Sequence, residues 1–416
     1  ADAGQVIFTP PGSTQYAYRY GPAILIDGDR IDIWASAPPL VSNGVRYGND
    51  SIEYIRSTDG GKTWTEWKTV LYPTLNSEDQ WSTCDPGAFK YGDYYYVGYT
   101  GSPEFRTNPD KEKQVNNLFI ARAKNPEGPY EKWNGNGWGG DPYAITRYSG
   151  DGVGCSMPSF TVKGDTLYMY YVDQTHPDQD WNSEGNISVS TFSLKDPNWP
   201  GNELSNKMCE NKPEEVRYCP DIDKFIGFQL KGGWDYDSYV EIYESTDGVN
   251  FTKTSSFRNN FPHYAHNIGI SGNNLGQLDL SIQNYIGTAY TPTGVEAWWG
   301  HWHTQLIPLY IREEQPSSTT PSQPSGSTDS SSQKPTTSSV GSTDGKSSET
   351  EVSEPQNSNI ESTVSDNKDK DKEVNNKTEQ QEETSYLWLY IVIGAVVVLA
   401  GAGTAVYFLV IKKKHV

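Results

Sequence analysis

Carboxylates stand in this sequence where extended segments begin or end. Asp85 lies in Cys84-Asp85-Pro86-Gly87, just before a strand-like run that reaches Tyr91. Glu215 precedes Val216-Arg217-Tyr218-Cys219, Asp173 follows Tyr170-Tyr171-Val172, and Asp50 precedes Ser51-Ile52-Glu53-Tyr54. Two carboxylates aimed at one pocket are the minimal equipment for cleaving a glycosidic bond, one as acid and the other as base or nucleophile. Other chemistries are poorly served. The sequence has no glycine-rich phosphate loop between a strand and a helix, no nucleophile elbow, and no Cys/His pair at catalytic spacing. His301-x-His303 would put two rings on one face of a strand, but no adjacent acid or thiol completes a tetrahedral zinc set. His263-x-x-His266 on a strand faces two ways.

The elements that must position these groups repeat. Asp85-Pro86-Gly87 leads through Phe89 into the turn Tyr91-Gly92-Asp93 and then an aromatic strand, Tyr94 to Thr100. Gly-Asp supplies hairpin chemistry, and the aromatic run suits a half-buried pleated surface. Gly21-Pro22 opens an earlier copy, Met157-Pro158 a later one, Cys219-Pro220 a degraded fourth, and His266-Asn267 a fifth. Openings roughly 60–70 residues apart, each followed by strand signals, predict a radial all-β array. We expect a five-bladed β-propeller over residues 1 to about 312. Blade one spans Tyr20 to Leu71, blade two Asp85 to Trp133, and blade three Met157 to Leu194. Blade four spans Cys219 to Thr254 and blade five Asn267 to Ile311. Val6-Ile7-Phe8 is expected to close the ring and remove an exposed sheet edge. The first strand of each blade lines the axis, so Arg19/Tyr20, Asp85, Met157, Glu215/Arg217/Cys219 and His266/Asn267 should face one hollow. Aromatics near loops (Trp34, Trp181, Trp234, Trp298, Trp299 and Trp302) would suit stacking on sugar faces.

Two motifs carry resemblances. Ser57-Thr58-Asp59-Gly60-Gly61-Lys62-Thr63-Trp64 is a full match to the Asp-box, S-x-D-x-G-x-T-W, of sialidases and related propellers. A weaker copy lies at Ser245 to Phe251. Tyr18-Arg19-Tyr20-Gly21-Pro22 resembles the Tyr-Arg-Ile-Pro motif of sialidases, whose arginine grips a substrate carboxylate, but it carries an inserted residue and lacks a second and third arginine partner. Ala123 to Glu131, reading A-K-N-P-E-G-P-Y-E, resembles glycoside hydrolase family 43 and its relatives, five-bladed propellers that cleave arabinosides and xylosides. The likeness covers residues 84–133 well and the rest of 1–312 as a pattern. It implies an Asp base, an Asp that tunes pKa, and a Glu acid on inner strands, with an axial histidine. Asp85 matches the Asp-Pro form, Glu215 the acid and His266 the histidine. Arg19 and His266 would then position the sugar, with Trp34, Trp298 and Trp299 as platforms. Blade three offers Ser156-Met157 where an acid is expected, so Asp50 and Asp173 stand as substitutes. No cofactor is required, although the fold class admits Ca2+ in the axial channel. The expectation is a monomeric glycosidase acting on oligosaccharide or polysaccharide. A non-catalytic glycan-binding adhesin and a sialidase-like exo-enzyme are the alternatives.

Composition bounds the remainder. The chain has 416 residues and a net charge of −20, which argues against a nucleic-acid partner. Residues 313–385 are Ser/Thr/Pro-rich and then charged, with too little apolar surface to offset ordering, so a disordered linker is expected. Residues 386–411 are apolar and uncharged, long enough to cross a hydrocarbon core of about 30 Å. Tyr386, Trp388 and Tyr390 would form an interfacial belt, and Lys412-Lys413-Lys414, in the short tail 412–416, would lie in the cytoplasm. The propeller then faces outward, and a cleaved secretory leader is expected ahead of Ala1. An outside location permits disulfides among Cys84, Cys155, Cys209 and Cys219. Cys84 and Cys155 open equivalent strands and are candidates to pair.

Overall fold

The computed structural model describes residues 4–11, 17–103, 105–108, 111–147, 153–175, 185–292 and 301–311. The expected linker and membrane helix lie outside the described residues, as do Trp181, Trp298 and Trp299. Among the described residues no helix is long and apolar enough to cross a membrane.

Strand β1 (Gln5–Phe8) precedes blade one, which contains β2 (Tyr20–Asp27), β3 (Arg30–Ala37), a hairpin of β4 (Leu40–Ser42) and β5 (Val45–Tyr47), then β6 (Ser51–Ser57) and β7 (Lys68–Leu71). Blade two contains β8 (Ser82–Tyr91), β9 (Tyr94–Ser102), a hairpin of β10 (Phe105–Asn108) and β11 (Lys111–Gln114), then β12 (Asn117–Ala123) and β13 (Glu131–Lys132). Blade three is β14 (Gly154–Lys163), β15 (Thr166–Gln174), β16 (Asn186–Ser193) and β17 (Glu203–Met208). Blade four is β18 (Glu215–Cys219), β19 (Lys224–Lys231), β20 (Tyr239–Ser245) and β21 (Thr252–Phe257). Blade five is β22 (Ala265–Gly272), β23 (Asn284–Tyr290), β24 (His303–Leu309) and, from the other end of the domain, β1.

Within each blade the strands pair antiparallel in sequence order, with the two short hairpins set apart. The inner strands β2, β8, β14, β18 and β22 pack each on the next, and β22 returns to β2. That last contact is a short parallel pairing, Ile24 with Ser271 and Leu25 with Gly272. β1 pairs with β24 through Gln5–Leu306 and Val6–Gln305, closing the ring as the sequence suggested. A closed ring leaves only short outer edges to protect.

The core is divided among the gaps between blades, because alternate residues of a strand face opposite neighbours. Trp34, Tyr54, Val97 and Phe119 fill the gap between blades one and two. Phe89, Phe160, Met169 and Trp199 fill the next. Ile31, Ile33 and Leu306 fill the gap between blades five and one. The inner strands come close enough to exclude side chains. A Cβ on Gly87 would lie 2.0 Å from the Pro158 carbonyl oxygen, and one on Gly269 would lie 1.7 Å from that of Pro22.

Both Asp-boxes form hairpin tips. Asp59 accepts hydrogen bonds from the Thr63 amide (2.9 Å) and hydroxyl (2.6 Å), which hold its carboxyl down at about 2. Gly60 and Gly61 take φ of 71° and 87° there. Asp247 repeats the arrangement with the amides of Val249 and Asn250.

Three expectations change. Blade four begins at Glu215, not Cys219, because Pro220 sits in the 3-10 turn joining β18 to β19, where its missing N–H costs nothing. Blade three continues beyond Leu194 to a fourth strand, β17, a polar edge with no apolar period to betray it. All four cysteines are buried and free. Cys84 packs with Tyr18, Tyr20 and Trp302, whereas Cys155 faces the gap between blades two and three, so equivalent position does not bring them together.

Candidate active site at the axial mouth

Three blades open with the same backbone device. Between Tyr20 and Ala23, Cys84 and Gly87, and Ser156 and Ser159, two inner-strand residues face one partner residue. Such a bulge bends the strand and re-aims its side chains. The first residue of each pair precedes a proline and is left-handed: Gly21 at φ 57°, Asp85 at 48° and Met157 at 56°. This conformation is disfavoured before proline, so about 1–3 kcal/mol of strain per non-glycine site is held by the surrounding ring. The inner strand of blade five carries a different irregularity, with His266 as the extra residue between Ala265 and Asn267.

Asp85 sits at the centre of this geometry. Its amide donates to Ser36 Oγ (2.7 Å), and Cys84 Sγ lies 3.4 Å from its Oδ2. A methyl group on Gly21 would lie 3.5 Å from Asp85 Oδ1 and 3.1 Å from Asn267 Nδ2, so Gly21 separates the two. The Gly21 amide donates to Asn267 Oδ1 (2.9 Å). The carboxylate keeps some solvent access, yet most of its surroundings are protein. Burial pushes its pKa up to about 6, against hydrogen bonds from Cys84 and Thr100, and nearby Asp50 adds to the rise. A carboxyl poised there can exchange a proton near neutral pH.

Asp50 is buried beside the mouth and linked to blade two. Tyr18 OH donates to Oδ1 (2.5 Å) and Ser82 Oγ to Oδ2 (2.8 Å), and burial raises its pKa. With its oxygens occupied, it acts on Asp85 through charge rather than contact.

Glu215 opens β18 with its side chain 13 % exposed. It accepts from Ser159 Oγ (3.0 Å) and pairs with Arg217 (2.9 Å). Arg217 reaches across to the Ile270 carbonyl (2.6 Å) and to Ser159 Oγ (2.6 Å). The pair therefore ties inner strands β14, β18 and β22 together. Burial raises the Glu215 pKa while Arg217 opposes it. Arg217 was legible as an opening residue, but nothing in the sequence marked it as the partner of Glu215.

Asp173 is on β15, the second strand of blade three, and not on the axial wall. It accepts from the Thr175 amide (3.1 Å) and Ser188 Oγ (3.1 Å), a strand-end role. Arg19 points away from the axis. It pairs with Glu53 (2.5 Å) and lies over the rings of Phe8 (4.6 Å) and Trp67 (5.5 Å), near the outer strands. Trp34 is 0 % exposed, with Nε1 donating to Tyr130 OH (3.0 Å), so it fills the core and offers no face to a sugar.

His266 stands at the opening of blade five, beside Tyr20 of blade one. Its ring stacks on Trp302 (4.6 Å, 18°) and meets Trp234 (4.6 Å) and Tyr20 (5.3 Å) edge-on. Burial lowers its pKa to about 3, so it is neutral at physiological pH and can exchange hydrogen bonds without carrying charge. Trp234, 40 % exposed and left-handed at φ 70°, caps this aromatic wall. Among the described residues no group of three or more His, Cys, Asp or Glu is arranged to hold a metal ion.

No protein-family model and no curated protein matches the chain. Among solved structures, it is similar to the catalytic domain of the Coprinopsis cinerea GH62 α-L-arabinofuranosidase, at 13 % identity over 72 % of this chain and 94 % of that one, with a TM-score of 0.48. It is also similar to the GH43_1 enzyme from Xanthomonas citri complexed with xylotriose, at 12 % identity over 73 % and 90 % of the two chains (TM-score 0.48). A third is a family 117 glycoside hydrolase of the marine bacterium Zobellia galactanivorans, at 15 % identity over 73 % and 91 % (TM-score 0.47). The five-bladed ring is read from this chain's own strand order and closure, and the chemistry rests on its own residues at the blade openings.

Proposed function

We propose that the propeller is a glycoside hydrolase whose substrate enters the axial mouth. Asp85 serves as base, Asp50 raises its proton affinity from behind, and Glu215 supplies the acid. Asn267 and His266 orient the sugar. The observation that carries this reading is Asp85, held at the bulge with a pKa of about 6 where the blade openings converge. The sialidase-like alternative loses its main support, because Arg19 is committed to Glu53 away from the mouth. Sugar release from aryl glycosides and soluble polysaccharides by the full-length protein tests the proposal. Turnover of at least one glycoside is expected, and none over such a panel would sink it.

A second reading, a glycan-binding protein that does not cleave, is favoured by one observation. The openings equivalent to Asp85 are Gly21 and Met157, and Glu215 already has Arg217 and Ser159 as partners. Glycan binding without sugar release would decide for it.

The apolar segment 386–411 is proposed to anchor the chain, with the propeller outside the cell and residues 412–416 inside. Expressed in a bacterial cell, the protein should sediment with membranes and resist alkaline carbonate. Protease added to intact cells should remove the propeller. Release by carbonate would refute the anchor.

A further inference from the structure

We propose a second carbohydrate site, an aromatic ridge on the mouth-side rim between blades one and two, that holds an internal stretch of a polysaccharide chain. Tyr72 is 41 % exposed, Leu75 46 % and Tyr143 46 %, an unusual density of large apolar side chains on one rim. Tyr47 meets Tyr72 edge-on, with ring centroids 5.2 Å apart. Arg147 lies over the Tyr143 ring at 3.9 Å and is fixed there by Glu78 (2.7 Å). Lys132 Nζ donates to the Tyr72 carbonyl (2.6 Å), while the Trp133 carbonyl accepts from the Tyr143 amide (2.8 Å), so neighbouring residues of blade two position both tyrosines.

The loop that carries Tyr72 and Leu75 is rigidly held. Its Asp79 is fully buried, pairs with Lys132 (2.5 Å), and accepts from the Thr74 amide (2.8 Å) and Tyr99 OH (2.9 Å). No step of the proposed mechanism uses this buried pair. Its effect is to present exposed rings in one arrangement, which reduces the ordering cost of binding.

Continuity and chemistry select the occupant. The Tyr47 segment runs directly into Asn49 and Asp50, whose backbones pair with Trp81 and Ser82, and Asp85 lies three residues further along β8. A chain seated in the mouth therefore leaves over this ridge. Tyrosine rings provide flat apolar faces with hydroxyls at their edges, and Arg46, Asn49 and Arg147 supply donors between them. That combination matches sugar rings, which carry C–H faces and hydroxyl rims.

The choice of occupant rests in part on the reading of the mouth as a carbohydrate site, and the test separates the ridge from hydrolysis. Tyr72→Ala/Tyr143→Ala in the full-length protein should weaken retention on immobilised arabinoxylan, linear arabinan or xyloglucan about tenfold or more. Turnover of a small aryl glycoside should stay within about twofold of the unmodified protein. Tyr72→Phe/Tyr143→Phe should keep most of the retention, because the ring faces remain. Unchanged retention in the alanine variant overturns the ridge, as does a wild-type protein that binds none of the three polymers. Loss of self-association in the alanine variant also overturns it, by making the rim an interface between copies of the chain. Absent aryl-glycoside turnover with ridge-dependent retention would remove the hydrolase reading and leave the ridge standing.

Discussion

Asparagine in place of Asp85 is expected to lower kcat/KM by about 10²–10⁴-fold on any glycoside the propeller cleaves, the usual span for losing a positioned proton-transfer group. The same change should stabilise the protein at neutral pH. The native Asp85 pKa is about 6 against an ordinary 3.8. Below both values the group is protonated in folded and unfolded chains and contributes nothing. As pH rises from about 4 to 6, the unfolded chain releases this proton first, so stability falls. Above 6 the full penalty applies, about 3 kcal/mol. Asparagine keeps the shape without the charge. Urea denaturation should therefore show Asp85→Asn more stable than wild type at pH 7.5 and similar to it near pH 4. The kcat/KM profile of the wild type should bend near pH 6. Full activity in Asp85→Asn, or a loss of stability at pH 7.5, would remove Asp85 from the centre of this account.

Arg217→Met should produce the largest loss of stability, about 3–5 kcal/mol. Methionine preserves much of the volume but leaves Glu215 buried beside Ser159 with no cation. It also releases the Ile270 carbonyl on β22, so the link between blades four and five loosens. The loss should depend on pH. Burial already raises the Glu215 pKa, and removing Arg217 raises it further, so the penalty for ionising Glu215 in the folded variant grows as pH rises above the ordinary glutamate range. The denaturation midpoint should drop more at pH 8 than at pH 5. Adding Glu215→Gln should restore much of the stability at pH 8, because the neutral amide does not need the guanidinium. Equal losses at both pH values would show that Arg217 acts through packing alone.

Much of the architecture was legible because its signals are local and repeated. Gly-Asp turns, aromatic strands and the prolines at Pro22, Pro86 and Pro158 recur at a spacing that only a ring of similar units accommodates. The closing strand was legible for a related reason: an apolar segment ahead of the first full unit needs a partner edge, and β24 supplies it. The fourth unit was misplaced by the same logic. Pro220 looked like an opening proline, yet β18 opens at Glu215 with no proline and no bulge. An amphipathic or polar edge strand such as β17 leaves even less trace, since neither of its faces is committed to a core.

The openings were legible, and the directions of side chains around them less so. Asp85 and His266 were legible as opening residues, and the structure puts each at an irregularity of an inner strand. Trp34 and Arg19 were read as ligand contacts because aromatics and arginines near loops often are. Their true direction depends on strand parity and on the closing strand: Trp34 turns into the gap behind Tyr130, and Arg19 turns outward to Glu53, Phe8 and Trp67. Asp173 sits one strand too far from the axis, which a one-dimensional reading does not measure.

By itself, then, the sequence determined a closed array of β-units, two Asp-box hairpin tips, an acidic carboxylate at the second opening and an apolar segment beyond the array. Those follow from residue types within a few positions of each other. Only the tertiary structure decided that Asp50 comes close enough to add to the rise in the Asp85 pKa, that burial pushes it toward 6, that Glu215 is tied to Arg217, and that the cysteines stay apart. Each of these depends on groups far apart in sequence, brought together by ring closure, and on how much water the closed ring leaves around them.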